Sequence, residues 1–169
     1  MKKLCITYET VSNTTKEIAE EIGHIAGNRG VIPDVIPLSA VENFDQYDAF
    51  VIGAPVHGMR WKTEATEFVK KHRDALKNVP VAYFLDAYML DNGYQFWQKR
   101  IRKCLDPVSR IVKPVKTGLF GGRVPDPLPA PMRLIFGVKK EAPLDVRDEN
   151  VIRTWAEELI TVLSEKSSR

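Results

Sequence analysis

The sequence has little cysteine and no long apolar run, and these absences narrow the possible classes of protein. Its 169 residues include two cysteines, Cys5 and Cys104, which are far apart and form no CxxC pair. Nothing indicates a disulfide framework, so a reducing cytoplasm is the expected location. No segment approaches the ~20 consecutive apolar residues that a membrane-spanning helix needs. The basic pair Lys2-Lys3 precedes only a short strand pattern, which is not the apolar core of a secretion signal.

Short motifs of several enzyme classes are absent as well. The sequence contains no GxSxG, no Walker phosphate-binding loop, no HExxH and no Ser-His-Asp signature. Of its three histidines, His24 and His72 fall in predicted helices without partners at metal-ligand spacing. We therefore expect no metal site, and the sequence assigns no catalytic residue.

The charge is unevenly distributed along the chain. A length of 169 residues suits a single domain over 1–169, and 44% hydrophobic with 28% charged residues is ordinary for a globular protein. Residues 99–140 hold eleven Lys/Arg and two Asp, a net +9, which leaves −6 on the rest of the chain. Such a basic region indicates an anionic substrate, partner or membrane surface, or else a solvated basic face. Nothing in the pattern indicates a nucleic-acid partner.

The apolar periodicity predicts alternating strands and helices. Strands are predicted at 4–8, 31–36, 49–53, 79–85 and 115–120, and helices at 16–26, 63–76, 95–104 and 150–165. In the second strand, Pro33 favours an edge position, because proline donates no ladder hydrogen bond. In the last helix, Val151, Ile152 and Trp155 are expected to face inward. This order is typical of an α/β, doubly wound parallel sheet of five strands.

The stretch after the first strand has the features of an anion site. Leu4–Tyr8 reads as a buried strand, and a helix with Ile18 and Ile22 on one face follows. Free N–H groups and the positive end of the helix dipole would point into the turn between them and hold a phosphate without a cationic side chain. The candidate binding residues are Thr10, Val11, Ser12, Asn13 and Thr14.

This turn resembles the phosphate loop of flavodoxins, Ser/Thr-x-Thr-Gly-x-Thr. Asn13-Thr14 fits the end of the pattern, whereas Glu9, Val11 and Ser12 stand at its first Ser/Thr, its middle Thr and its Gly. The resemblance implies a flavodoxin-like sheet of order 2-1-3-4-5 that binds FMN where strands 1 and 3 diverge. The Glu9 carboxylate is then expected to turn away from the phosphate, into a salt bridge or solvent.

The same resemblance places the flavin ring against the two later loops, 54–62 and 86–94. A planar ring needs apolar faces to stack on and backbone N–H groups at its polar edge. Trp61 either stacks on the ring or anchors its loop. No acidic phosphoacceptor follows Ile52-Gly53-Ala54, which counts against a response-regulator receiver. The candidates for cofactor contact are Pro55, Val56, His57, Gly58, Trp61, Asp86, Ala87 and Tyr88.

A second resemblance lies after the fifth strand. Phe120-Gly121-Gly122-Arg123-Val124, a proline-rich link and a basic-apolar stretch over 132–137 precede Asp145-Val146-Arg147-Asp148. This arrangement resembles the corresponding segment of the menaquinone-dependent protoporphyrinogen oxidases, a family with a flavodoxin domain. It implies an FMN-dependent oxidoreductase of heme biosynthesis that oxidises protoporphyrinogen IX with a quinone. Two alternatives stay open: an electron-transfer flavodoxin, and a binding module that has lost FMN.

The predicted basic insertion, residues 121–148, is expected to serve a partner. Because it follows the fifth strand, we expect its basic segment 121–140 to lie away from the flavin loops and to meet a small-molecule substrate or quinone. Met132, Leu134 and Ile135 beside Arg133 and Lys139 suit peripheral contact with the inner face of a membrane. The alternative is a helix whose apolar side packs on the domain. The oligomeric state is left open.

Overall fold

A computed structural model describes residues 1–167 and shows a central parallel sheet with helices on both faces. The sheet order is β2-β1-β3-β5-β6, and a two-residue strand, β4, pairs antiparallel with β3. Without β4, this is the predicted flavodoxin order 2-1-3-4-5. The strands are β1 (Lys3–Tyr8), β2 (Ile32–Pro37), β3 (Ala49–His57), β4 (Arg60–Trp61), β5 (Val81–Ala87) and β6 (Lys116–Gly121). The helices are α1 (Thr14–Asn28), α2 (Thr63–Lys71), α3 (Arg73–Leu76), α4 (Gln95–Arg102), α5 (Asp106–Ser109), α6 (Ala130–Phe136) and α7 (Glu149–Ser167), with a 3-10 turn at Leu38–Ala40.

The sheet separates two apolar cores. On one face, α1 and α7 pack Ile22 and Leu159 against Val51 of β3. On the other face, Leu76 and Ile101 pack against the strand residues that point the opposite way. Side chains of parallel central strands are buried on both faces, which explains the unbroken apolar runs of β1, β3 and β5. The edge position expected for the strand that contains Pro33 is confirmed.

Two strands extend further than the sequence predicts. β3 continues to His57 and β5 to Ala87, so residues 54–57 and 86–87 belong to strands and not to loops. The register explains the difference, since Pro55 of β3 lies opposite Asp86 of β5 in the parallel ladder. The ends of these strands, rather than free loops, therefore carry several of the candidate binding residues.

Two helix predictions are also corrected. The helix predicted at 63–76 is interrupted at His72, whose ring stacks on Phe44 with 4.5 Å between ring centroids. In α7, Val151 is 49% exposed instead of facing inward, whereas Ile152 and Trp155 are buried as predicted.

No helix within residues 1–167 is long and apolar enough to cross a membrane. Cys5 is buried and Cys104 is half-buried, and both thiols are free.

Candidate functional site

The loop between β1 and α1 makes a tight turn from the strand end to the helix start. The Glu9 backbone N–H donates to the carbonyl of Gly53 at 3.0 Å, which fixes the start of the loop against β3. Asn13 has a φ of 62°, and the Glu17 N–H donates back to its carbonyl at 2.9 Å as α1 begins. The left-handed position is therefore Asn13 and not Ser12, where the sequence comparison put the missing glycine. Asparagine tolerates this region better than most residues, so the turn forms without glycine.

The hydroxyl groups of the loop differ in whether they have a hydrogen-bond partner. Ser12 Oγ and Thr14 Oγ1 lie 3.2 Å apart and share a hydrogen bond. Thr10 Oγ1 is buried and has no hydrogen-bond partner among the described residues. A buried hydroxyl without a partner is costly, and a ligand that enters the loop would supply the missing bond to Thr10. Thr7 Oγ1 is also buried without a partner within residues 1–167, but it lies within β1. Val11 is 65% exposed, so it offers the loop only its backbone.

Glu9 forms the salt bridge expected of it. Its Oε1 accepts a hydrogen bond from Nζ of Lys62 at 2.9 Å, and Lys62 also pairs with Glu64 at 3.3 Å. The hydrogen bond to Glu9 is the main reason that the pKa of Lys62 is raised. The carboxylate that stands at a phosphate-loop position is thus neutralised by the lysine that precedes α2.

Asp86 holds the start of α1 in place through a hydrogen bond at the end of β5. It is 5% exposed at the end of β5, and its Oδ1 accepts a hydrogen bond from the Thr15 hydroxyl at 2.6 Å. Burial raises the pKa of Asp86 to about 6. The carboxylate of Asp86 therefore holds the first turn of α1 against the end of β5.

A cavity of about 190 Å³ lies at the ends of β3 and β5. The sequence predicted this neighbourhood as the flavin-ring site. From the strand ends come Val56, Gly58, Met59, Ala87, Tyr88 and Met89. From the insertion come Val124, Leu128, Met132 and Phe136. The insertion therefore lines the cavity at the ends of β3 and β5, and the expectation that it lies away from the flavin loops is wrong. After β6 the chain passes over the ends of the neighbouring strands.

A tight hairpin forms one rim of this cavity. Gly58 and Met59 have φ values of 56° and 61°, the paired positive values of a two-residue turn that joins β3 to β4. Trp61 follows the turn, but it is 3% exposed and its Nε1 donates to the carbonyl of Phe84 at 3.0 Å. In this structure Trp61 anchors the hairpin in the core and does not line the cavity.

The remaining ring-site candidates lie at its margins. Pro55 is half-buried within β3, and His57 is exposed at the strand end. Tyr88 lines the cavity, and its hydroxyl donates to the carbonyl of Pro143 at 2.8 Å. Tyr88 therefore links the strand end to the insertion as well as offering an aromatic ring.

A charged cluster that the sequence did not predict lies beside the loop between β1 and α1. Nη2 of Arg123 donates to the carboxylate of Glu17 at 2.9 Å and lies 3.4 Å from the carbonyl of Ser12. Arg147 also donates to Glu17 and pairs with Asp145. The bond from Arg147 is the main reason that the pKa of Glu17 is lowered. The sequence signals were Glu17 in the first turn of α1 and two arginines that flank the insertion.

These residues fit one part of an FMN molecule better than the other. The unpartnered Thr10 hydroxyl, the start of α1 and the adjacent guanidinium groups suit a phosphate. The ring cavity is apolar, as a flavin requires, but small-molecule sites usually span about 300–1,000 Å³. The cavity of about 190 Å³ is smaller than that range, and α6 lines one side of it.

The sequence and fold place the chain in a known family. Residues 5–127 match the flavodoxin domain, so the chain belongs to the flavodoxin-domain family. Among curated proteins, it is similar to protoporphyrinogen IX dehydrogenase [quinone] of Escherichia coli strain K12, with 31% identity over 84 residues. That match covers 48% of this chain and 46% of the relative, so the chain spans about half the length of the curated relatives it matches.

Solved structures share the fold at low sequence identity. A Streptococcus pneumoniae flavodoxin superposes with a TM-score of 0.63 at 15% identity, covering 97% of this chain and 99% of that one. A Fusobacterium nucleatum flavodoxin mutant bound to flavin mononucleotide gives a TM-score of 0.55 at 16% identity, covering 98% of this chain and 97% of that one. These likenesses establish a flavodoxin-like fold.

Proposed function

We propose that this protein binds FMN non-covalently and oxidises protoporphyrinogen IX, with a quinone as the electron acceptor. The observation that carries FMN binding is the buried, unpartnered Thr10 hydroxyl inside a strand–turn–helix anion site. Support for the reaction comes from the similarity to the Escherichia coli dehydrogenase, whose name states that activity. FMN, when bound, supplies the hydride-accepting chemistry, and the protein supplies position and electrostatics.

The phosphate would be held by the loop between β1 and α1. The first N–H groups of α1 have no partner within the helix, and its dipole places partial positive charge there. Thr10 adds a hydroxyl donor, and Thr15 keeps the turn in place through Asp86. The Glu9–Lys62 pair removes the repulsion that a free carboxylate would cause.

The ring would be oriented by the ends of β3 and β5. Val56, Tyr88 and Met89 offer apolar surface, and the turn at Gly58 brings backbone to the cavity edge. Met132 and Phe136 of α6 line the same space and would cover one side of the ring.

A second cavity gives the substrate a place beside the ring. It measures about 530 Å³ and shares Met59 with the ring cavity. Apolar atoms of Trp61, Cys104 and Pro107 contribute to its lining, and cations outnumber the single carboxylate of Glu67. A porphyrinogen carries carboxylates on an apolar macrocycle, which matches this combination. The cations are Arg60, Lys70, Arg100 and Lys103.

The test is turnover by FMN-loaded protein. Each hydrogen pair removed from the porphyrinogen should reduce one quinone to quinol, and the porphyrin product is followed by its fluorescence. A variant that combines Arg100→Gln and Lys103→Gln should keep its FMN affinity and show a higher KM for the porphyrinogen. Arg110→Gln combined with Lys113→Gln also removes two positive charges, at exposed residues outside this cavity, and is the matched control. FMN-loaded protein that oxidises no porphyrinogen with any quinone would refute the proposed reaction.

We also propose that α6 brings the protein to an anionic membrane surface, where a quinone resides. Leu134 is 77% and Ile135 is 59% exposed, and exposed Lys139 and Lys140 follow them. Co-sedimentation with anionic vesicles should fall when Leu134 and Ile135 are both changed to serine, because two exposed apolar side chains that can enter the membrane interface are lost. The control is Val151→Ser, which removes an exposed apolar side chain from α7. Equal sedimentation of both variants would refute membrane contact through α6.

Two other functions have specific support. The structural neighbours are flavodoxins, which favours an electron carrier for protein partners. The small ring cavity of about 190 Å³ favours a binding module that has lost FMN. A carrier would bind FMN and exchange electrons with a redox protein but would not oxidise a porphyrinogen. A module that has lost FMN would bind no flavin.

A further inference from the structure

The base of the insertion is fixed against the end of the sheet. Val124 N–H donates to the carbonyl of Leu144 at 2.9 Å, and Val146 N–H donates to the carbonyl of Gly122 at 3.1 Å. Gly121 permits this approach, because a Cβ there would lie 2.0 Å from the carbonyl oxygen of Val146. The two chain segments that enter and leave the insertion therefore run side by side, next to the start of α1.

Two arginines lie at this base, and they differ in how many of their N–H donors form hydrogen bonds. Nε, Nη1 and Nη2 of Arg147 all donate hydrogen bonds, to the carboxylates of Asp145 and Glu17. Arg123 uses only Nη2, toward Glu17 and the carbonyl of Ser12. Its Nε and Nη1 donate to no group within residues 1–167. Arg123 is thus the arginine whose Nε and Nη1 donors are available to a ligand at the loop between β1 and α1.

The loop between β1 and α1, next to Arg123, lacks two of the hydroxyl donors of the flavodoxin pattern. Glu9 and Val11 stand where the flavodoxin pattern has hydroxyl residues, and the side chain of Val11 points to solvent. A guanidinium group offers a planar set of charged donors that matches phosphate oxygens. Arg123 reaches the carbonyl of Ser12, so its charged end lies at the rim of the loop.

We propose that Arg123, supplied by the insertion, is a phosphate ligand for FMN and makes the site select FMN over riboflavin. The inference rests on the proposed FMN binding and adds a residue to that site. Glu17 is a positioning residue, because its carboxylate accepts from both Arg123 and Arg147 and holds the first guanidinium against the loop. The insertion thereby contributes to the cofactor site at two places, the phosphate through Arg123 and the ring through Met132 and Phe136.

The test compares two ligands that differ only in the phosphate. FMN and riboflavin are titrated separately into wild type, Arg123→Gln and the control Arg110→Gln, and flavin fluorescence gives each Kd. Arg123→Gln should weaken FMN binding by about tenfold or more, the usual effect of a lost charge-assisted hydrogen bond. It should leave riboflavin within about twofold and flatten the salt dependence of FMN binding. Arg110→Gln has the same change in net charge and should alter neither Kd.

The other outcomes are distinguishable. Equal losses for FMN and riboflavin would mean that Arg123 only shapes the insertion, which would overturn the inference. An unchanged FMN Kd would overturn it as well, while FMN binding itself would stand. A wild-type protein that binds neither flavin would refute the proposed function and this inference together. Arg123→Lys, which keeps the charge but not the planar donors, should lose less affinity than Arg123→Gln if the fold of both variants is intact by circular dichroism.

Discussion

The hydroxyl of Thr15 donates a 2.6 Å hydrogen bond to the buried carboxylate of Asp86 and so joins the first turn of α1 to the end of β5. The two residues are 71 positions apart in the sequence. This contact fixes the helix end that forms the anion site relative to the strand end that borders the ring cavity. The two halves of the proposed FMN site are thus held in register by one buried bond.

Asp86 should make stability depend on pH in an unusual direction. Its pKa is about 6 in the folded protein, against an ordinary value of 3.8. Between these values the folded state binds more protons than the unfolded state, so the free energy of unfolding falls as the pH rises. The size of the fall is about 3 kcal/mol for a shift of roughly two pKa units. Asp86→Asn, whose amide oxygen still accepts from Thr15, should remove this component.

Urea unfolding at several pH values between 4 and 7 measures the effect. The difference in unfolding free energy between Asp86→Asn and wild type should grow in favour of the variant across this range. The carboxylates with lowered pKa values, Glu17 and Asp145, act in the opposite direction at lower pH and cancel in the comparison. A constant difference between the two proteins would show that Asp86 does not titrate in this window.

Thr10→Val should affect stability and binding with opposite signs. The substitution keeps the shape of the side chain but removes a buried hydroxyl that has no partner. Without flavin, we expect the free energy of unfolding to stay level or to rise by about 1 kcal/mol. FMN affinity should fall about tenfold, because a hydrogen bond to a charged phosphate is lost. Thermal unfolding and a flavin titration together decide the matter, and a destabilised variant with normal affinity would contradict this role.

The Glu9–Lys62 salt bridge should affect FMN affinity, because Lys62 compensates the charge of the Glu9 carboxylate. Glu9→Gln should leave FMN affinity unchanged or raise it, because the carboxylate is turned toward Lys62. Lys62→Met should lower the affinity by a few-fold, since an uncompensated charge near a phosphate is worth about 1 kcal/mol in water-like surroundings. The double variant should regain the affinity of Glu9→Gln. A large loss in Glu9→Gln alone would show that the carboxylate contacts the ligand.

The α6 side of the ring cavity should control how fast flavin enters. Met132 lines the cavity, whereas Leu134 of the same helix is 77% exposed and does not. Met132→Ala enlarges a space that is now about 190 Å³, so stopped-flow mixing should show faster association of FMN than in wild type. Leu134→Ala is the matched control and should leave the rate unchanged. Equal rates in all three proteins would mean that α6 does not obstruct the ring site.

The sequence was most informative where local pattern and environment agree. Mostly apolar runs, as in β1 and β5, occur where a strand is covered on both faces, so the strands themselves were predictable. Their order followed from the resemblance to flavodoxins. The hydroxyl-rich turn before α1 was also visible, because helix starts have local sequence preferences. Asn13 shows the limit of this approach. Its positive φ comes from the path of the chain, and a fixed motif assigned that role to Ser12.

Contacts between distant segments were not predictable. The position of the insertion over the ring cavity depends on the return of the chain after β6, and no local pattern encodes that path. Trp61 has an aromatic ring suited to stacking, yet β4 carries it into the core, where it bonds to Phe84. The cluster of Glu17, Arg123 and Arg147 joins residues more than one hundred positions apart. A single sequence shows that these charged residues are present, but it does not show that they contact one another.

The proposed FMN site depends on the turn from Thr10 to Thr15, which we expect to bind the phosphate. The most direct measurement is a fluorescence titration of FMN with the purified wild-type protein, run in parallel with Thr14→Ala. We expect saturable quenching with one FMN per chain, and a weaker Kd in the variant by about 1 kcal/mol or somewhat more. No quenching of FMN fluorescence at tens of micromolar wild-type protein would contradict the account.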